Sequence, residues 1–484
     1  MLFASVAQLR SSGFRPQVCI VGSGPAGISL ALRLQEKKMP CLVIEAGNWE
    51  ASESSQDFYV GEVVGDHYHK LNRARLRQFG GTSGHWSGWC RALDAVDFEV
   101  REHIPHSGWP IRKHDLDPYA LAAAKIFRIK PKALDRPITS DIDEVEFRFN
   151  RPPVRFGPDY REAIERSGTI GLLVNTAVIE LVPGQGRIDS LILMDAERRR
   201  SELRIDQVCL CTGGIENSRI LLWSNARHPN RVVPEPKTLG RYWMEHPVFD
   251  VAEAAISDSA AAQFTETRIF APSPTAMKSY RITGAHLSVD KPSLEYKNAK
   301  RLRRELMCFA PGLFESVLGM SDGELMCGSR VVMEWEQLPR PENRIELGRE
   351  TDQFGVPRIR LHWTKSDAER KCAVVASRLL GEALIKADVG RLRISNWLIN
   401  DEPWPREFHQ GAGFHHMGGT RMSDTAATGV VDRNCKVFGM TNLYIGGSSV
   451  YPTGGHANPT FTIVQLALRL GDHLAATIAA RKSS

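Results

Sequence analysis

Val18-Cys19-Ile20-Val21-Gly22-Ser23-Gly24-Pro25-Ala26-Gly27 is the stretch that decides the fold. Its first four residues form a short apolar run suited to a strand buried on both faces. Glycines at 22, 24 and 27 follow at once, and Ile28 to Leu34 continues with helical periodicity. In such a unit the first glycine permits the tight turn and the second lets backbone approach a pyrophosphate. The third lets helix and strand pack closely. The amides at the helix start then face the phosphates, helped by the helix dipole. A second apolar run, Cys41-Leu42-Val43-Ile44, ends in Glu45, whose carboxylate can accept hydrogen bonds from a ribose. A bare glycine pattern is weak. Strand, glycine turn, helix, second strand and acid in this order predict a dinucleotide site rather than a chance turn.

Further along, Val208-Cys209-Leu210-Cys211-Thr212-Gly213-Gly214 reads as another buried strand entering a glycine turn, followed by a helix over Arg219 to Trp223. An ordinary strand-to-helix turn would look the same. The chemistry-bearing stretches lie near the other end: Phe414-His415-His416-Met417-Gly418-Gly419-Thr420-Arg421-Met422 and Gly455-His456-Ala457-Asn458-Pro459-Thr460. An alcohol oxidised by hydride transfer loses a proton from oxygen as well as a hydride from carbon. A histidine placed as base and an amide holding the same oxygen meet that need. Joined to a dinucleotide fingerprint, these stretches point to a flavin-dependent alcohol oxidoreductase.

On these motifs the chain resembles the glucose-methanol-choline (GMC) oxidoreductases over nearly its whole length. The resemblance also rests on Phe79-Gly80-Gly81-Thr82-Ser83-Gly84-His85-Trp86 and Leu239-Gly240-Arg241-Tyr242-Trp243-Met244-Glu245-His246-Pro247. It continues through Glu336-Gln337, Pro341-Glu342-Asn343-Arg344 and Asn442-Leu443-Tyr444-Ile445-Gly446-Gly447-Ser448-Ser449. The branch of pyranose oxidases and bacterial sugar dehydrogenases is the most similar. The resemblance implies FAD as cofactor, His415 as base and Asn458 as the second residue on the substrate oxygen. His416 is the competing base, and His456 lies outside the Asn-Pro-Thr register, as a hydrogen-bonded loop histidine would. The implied cofactor shell comprises Gly22, Gly24, Pro25, Ala26, Gly27 and Glu45 at the dinucleotide end. Gly80, Gly81, Ser83, His85 and Ser87 follow in the second motif. Val178, Gly213, Gly447, Asn458, Pro459 and Thr460 complete it. Pyranose oxidases tether FAD through the histidine of Ser-Thr-His-Trp. Here Gly84 replaces the threonine, which leaves both a covalent bond from His85 to the flavin 8-methyl carbon and noncovalent packing open. The activity implied is oxidation of a secondary hydroxyl of a sugar or glycoside to a ketone, with hydride passing to flavin N5. Oxygen, a quinone or another acceptor then reoxidises the cofactor. A non-redox lyase on the same scaffold and a catalytically retired FAD-binding interaction protein are the alternatives.

Composition sets limits consistent with this. At 484 residues the chain suits two intimate domains rather than one core, and a 42% hydrophobic content supplies an α/β interior. The net charge is +6, and Arg198-Arg199-Arg200 and Arg301-Leu302-Arg303-Arg304 have no interleaved aromatics, so they read as solvated faces rather than a nucleic-acid surface. The nine cysteines are scattered and mostly embedded in apolar runs, the pattern of buried free thiols, and no metal-ligand spacing stands out. Met1 to Phe14 has no basic leader, and no run approaches the ~20 apolar residues of a membrane span, so a cytoplasmic setting is expected.

The expected architecture is α/β, a Rossmann-like FAD-binding domain interleaved with a substrate domain of antiparallel sheet and helices. Residues 1–100 would form the first part of the FAD domain, 101–160 a connecting excursion, and 161–248 the second part. Residues 249–404 would form the substrate domain, and 405–484 the C-terminal part with the catalytic motifs. Within 249–404, Arg344 to Leu347 and Arg358 to Trp363 alternate like half-exposed strands around turn residues Thr351 to Gly355. Ser366 is placed to cap a helix running to Leu384.

Overall fold

Three distant pieces of chain lie side by side in one parallel sheet. The computed structural model describes residues 1–131, 133–257, 260, 266–290, 329–406 and 411–483. Its six-stranded sheet runs, edge to edge, Leu2–Phe3, Ile170–Leu173, Cys41–Ile44, Val18–Val21, Gln207–Leu210 and Leu443–Ile445. Every pairing within it is parallel. The strands at 18, 41, 170, 207 and 443 are buried along their whole length, as their unbroken apolar runs predict. Helix Pro25–Glu36 packs on the sheet through Ile28, Leu30, Ala31 and Leu34. Against it lies the C-terminal helix Thr460–Ser483, clipped by Arg33, whose Nε and Nη2 donate to Asp472 at 2.8 Å each. The fold is thus the Rossmann-like α/β arrangement expected.

The second sheet is antiparallel and seven-stranded. Its order is Gly390–Ile394, Val248–Ile256, Ser329–Trp335, Ala285–Val289, Arg268–Pro272, Ile142–Glu144 and Arg136–Pro137. Helix Asp367–Lys386 covers one face, burying Ala376 and Leu380 against Phe249 and Trp335. Ser366 is its N-cap, in a capping box with Glu369.

Two stretches sit elsewhere than expected. The excursion 101–160 is not only a surface connection: its residues 136–144 add two strands to the seven-stranded sheet, with Ile142 wholly buried in that core. The hairpin Arg344–Thr351 and Pro357–Trp363 forms as expected, with Ile345 opposite Leu361, but outside that sheet. It pairs in parallel with Glu62–Gly65, and its apolar face packs on Tyr68, Ile215 and Trp243, beside the dinucleotide domain. Arg301 to Arg304 lies outside the described residues.

The seven described cysteines are all buried and unpaired. Residues Thr460–Arg481 do reach the length and composition of a membrane span, contrary to the reading of the sequence. This helix carries the Asp472 pair with Arg33, and its Phe461, Val464, Leu468 and Leu474 belong to the main core.

The fingerprint glycines separate by what surrounds them. A Cβ on Gly27 would sit 2.0 Å from Gly22 O, whereas one on Gly24 meets nothing within 4 Å. Gly27→Ala should therefore push the helix off the strand, at a cost of at least the ~1–3 kcal/mol typical of overpacking. Gly24→Ala should leave stability unchanged. Paired urea unfolding curves check this, and equal midpoints for the two variants would contradict the close approach.

Candidate active site

Helix Pro25–Glu36 begins at Gly24 without any side-chain cap, so its first amides depend on something other than a protein side chain. They open onto a cleft of about 1660 Å³ that runs from Gly22, Gly24 and Glu45 past Gly81 and His85 to His415 and Asn458. Such a volume exceeds the ~300–1,000 Å³ of most small-ligand pockets and suits an extended dinucleotide with a second molecule. Gly24, Gly213 and Gly447 all face space where a Cβ would meet nothing within 4 Å. The latter two have φ of 91° and 100°, the left-handed region that glycine enters freely. Backbone can approach a flat or charged ligand at all three.

Glu45 is buried with three bonds on its carboxylate. Oε2 accepts from Ser23 N at 3.0 Å and Ser23 Oγ at 2.6 Å, and Oε1 accepts from Gly47 N at 2.7 Å. A carboxylate offers about four lone-pair sites, so one remains for a ribose hydroxyl. The residues present therefore fit FAD. Val178, Pro25, Ala26, Ser83, Ser87, Pro459 and Thr460 also line the cleft. Gly27 and Gly80 do not; they allow close packing instead, since a Cβ on Gly80 would lie 2.1 Å from Gly157 N. Asn217, which sequence reasoning did not single out, locks the two glycine turns together. Its Oδ1 accepts from Thr212 N and Oγ1, and its Nδ2 donates to Gly446 O and Ser449 Oγ at 2.9 Å each.

His85 stands exposed on the cleft wall, at the end of the short turn Gly81–Gly84. Burial of part of the ring, with the Arg155 charge nearby, lowers its pKa, so the imidazole is neutral. A Cβ at Gly84 would lie 2.2 Å from Gln78 Nε2, so Gln78 occupies the space that a threonine side chain would need.

The reactive end is built on one carboxylate. Glu245 Oε1 accepts from His246 N at 2.8 Å and His415 N at 2.6 Å, while Oε2 accepts from Tyr68 Oη at 2.6 Å. Burial raises the Glu245 pKa against these donors. His415 turns its ring between two groups. Its Nδ1 lies 3.0 Å from Glu334 Oε1 and 3.0 Å from His246 Nδ1; its Nε2 lies 2.9 Å from Asn458 Nδ2. His246 Nδ1 is likewise 3.0 Å from Glu334 Oε1. With Nδ1–H donated to Glu334, Nε2 is the acceptor that faces the cleft. Burial alone would lower the His415 pKa, but Glu334 and Glu245 outweigh it and raise it. Burial would likewise raise Glu334; the two imidazoles hold it well below the usual carboxylate range. The donor atoms of His246, Glu334 and His415 all lie within 4.8 Å of one another, a spacing also open to a metal ion, which the sequence did not suggest.

His416 points the other way. Its Nε2 meets Tyr68 Oη at 2.9 Å, and burial, with the charges of Arg75 and His415, pushes its pKa to about 3. It is a neutral buried imidazole whose Nε2–H donates to the Tyr68 oxygen, since the Tyr68 proton is already given to Glu245. His456 is also tied down, Nε2 to Asp94 Oδ2 at 3.1 Å, beneath the loop that presents Asn458. His246, Glu334 and Tyr68 are the neighbours that sequence reasoning missed. His246 at least lay in a quoted motif, whereas nothing local marks Glu334 or Tyr68.

Residues 339–467 match the C-terminal family model described as GMC oxidoreductase. A 2-methyl-1,2-propanediol dehydrogenase from Mycolicibacterium austroafricanum is 21% identical, over 96% of each chain. A C-glycoside 3-oxidase from Microbacterium trichothecenolyticum is 32% identical over 28% of this chain and 24% of its own. The crystal structure of pyridoxine 4-oxidase from Mesorbium loti superposes with a TM-score of 0.59 over 95% of this chain and 99% of that one, at 14% identity, a likeness of fold.

The shared proton position predicts a titration. Glu334→Gln removes the nearest charge holding the proton on His415, so the imidazole pKa should fall from its raised value. Histidine ring resonances followed by NMR against pH should show one inflection moving to lower pH. An unmoved His415 inflection would mean that the Glu334 contact carries no charge coupling.

Proposed function

We propose that the chain, whose residues 339–467 match the GMC oxidoreductase model, is an FAD enzyme that oxidises a secondary hydroxyl of a sugar or glycoside to a ketone. The observation that carries this reading is the pairing of Asn458 Nδ2 with His415 Nε2 at 2.9 Å on the wall of the cofactor cleft. Two groups that meet across so short a gap can both reach one hydroxyl oxygen. His415 Nε2 takes the hydroxyl proton, and Asn458 Nδ2–H donates to the oxygen as negative charge develops there. Glu334, on the far side of the ring, fixes the tautomer and stabilises the imidazolium that results. Bound FAD supplies the hydride acceptor at N5. With the hydroxyl proton on His415 and the oxygen held by Asn458, the carbinol carbon would be set to yield its hydride to such an acceptor and become the carbonyl. Oxygen, a quinone or another small acceptor completes the cycle.

The sugar preference draws on the C-glycoside 3-oxidase likeness, since that relative's name specifies a glycoside. His85 is the residue for a tether to FAD. Its exposed, neutral ring on the cleft supports this, and Gln78 in the space beside Gly84 props the turn that a threonine would otherwise fill.

His415→Ala should retain FAD and slow its anaerobic reduction by an alcohol roughly 10²–10⁴-fold, the usual range for loss of a general base. Asn458→Ala should also be slow. His416→Ala as the slow variant, with His415→Ala fast, would reverse the assignment. Bleaching by any member of a panel of sugars, glycosides and simple alcohols separates oxidation from lyase or purely binding roles. Gly24→Asp should yield folded but colourless protein, because its carboxylate would enter the phosphate path. For the tether, denatured wild-type protein should carry the mass of FAD. Full release of FAD at the unmodified chain mass excludes a bond to His85.

A further inference from the structure

The segment that carries His415 is a bulge. Gly411 N donates to Val248 O at 2.7 Å and Gly413 N to His246 O at 2.9 Å, a regular antiparallel step. Pairing resumes only at Met417, whose N donates to Met244 O at 3.0 Å while Met244 N donates back at 2.8 Å. Phe414, His415 and His416 thus stand opposite Glu245 alone. Such bulges re-aim side chains, and their left-handed position is normally filled by glycine. Here Phe414 fills it, with a φ of 60°.

That turn has two products. It swings His415 N onto Glu245 Oε1 at 2.6 Å, and it throws the Phe414 ring onto the cleft wall. There the ring meets His69 edge-on, with centroids 4.7 Å apart and planes at 60°. Phe414 nevertheless remains 39% exposed, and His69 is its sole ring contact among the described residues. Glycine would serve the backbone better, so the backbone does not account for a phenylalanine at this position. The ring itself has a use, and it lies one residue from the proposed base.

We propose that Phe414, backed by His69, is the platform for the apolar C–H face of a pyranose ring and so determines which ring hydroxyl reaches His415 and Asn458. This rests on the sugar reading above. A pyranose presents a face of C–H bonds and a rim of hydroxyls. A phenyl ring takes the face, and His67 and Ser87, which line the same cleft, offer polar groups for the rim. An acyclic alcohol has no such face and gains little from the platform.

The experiment compares anaerobic flavin reduction by methyl pyranosides and by 2-propanol in the FAD-loaded full chain, over a range of concentrations. In Phe414→Ala and Phe414→Gly, the apparent second-order rate should fall at least tenfold more with the best pyranoside than with 2-propanol, chiefly through a raised Kd. Phe414→Tyr should keep the wild-type ratio. FAD content and unfolding midpoints identify any variant that fails to fold, and Phe414→Tyr against Phe414→Leu then serves as the test pair. An equal fall with both alcohols, or full pyranoside binding in Phe414→Gly, overturns the platform while leaving the oxidation reading intact. Reduction of wild type by 2-propanol but by no pyranoside overturns the sugar reading, and the platform with it.

Discussion

One buried carboxylate holds the reactive end together. Glu245 is shut off from solvent, and a carboxylate in that position costs several kcal/mol unless donors surround it. Its donors come from three regions: Tyr68 Oη, His246 N and His415 N. The requirement to satisfy that group therefore obliges the loop at 68, the chain leaving the dinucleotide domain at 246 and the bulge at 415 to converge. Tyr68 in turn bonds His416 and packs edge-on to Trp243 and Trp363. Hydrophobic packing and polar satisfaction thus select the same geometry.

The two adjacent histidines show how strongly environment divides identical side chains. His415 keeps one ring nitrogen on Glu334 and the other on the cleft, so its charged form is supported. His416, one residue on, is buried against a hydroxyl with the Arg75 charge nearby, and burial above all suppresses its charged form. A histidine proposed as base needs a counter-charge that stays ionised. Glu334 meets that condition because two imidazoles hold it below the ordinary carboxylate range.

Much of this was legible in the chain. The first strand, glycine turn, helix, second strand and Glu45 were readable because each depends on residues within thirty positions, and every one lies where its pattern indicates. The capped helix after Ser366 and the two strands of the hairpin around Thr351 to Gly355 are equally local. What escaped depends on distance. Residues 136–144 read as a Pro-rich connection because two short strands have no periodicity of their own until a sheet edge accepts them. The hairpin's neighbour at 62–65 is nearly three hundred residues away, as the Arg360–Glu62 contact shows. Glu334 alternates along its strand like any half-exposed residue, and only the folded sheet turns it toward His415.

The sheet order has a consequence for how the protein is made. The strand Leu443–Ile445 closes the edge beside Gln207–Leu210, and Asn458 lies beyond it. During synthesis the seven-stranded sheet can assemble while this edge is still missing, since its last strand ends at Ile394. Chains fold vectorially as they emerge, and long-range parallel pairing waits for its partner. The ribosome must therefore deliver the chain past Ile445 before the cleft is walled on that side. A nascent chain stalled before residue 443 presents the glycine fingerprint with the edge of Gln207–Leu210 still unpaired, so flavin capture waits for that strand.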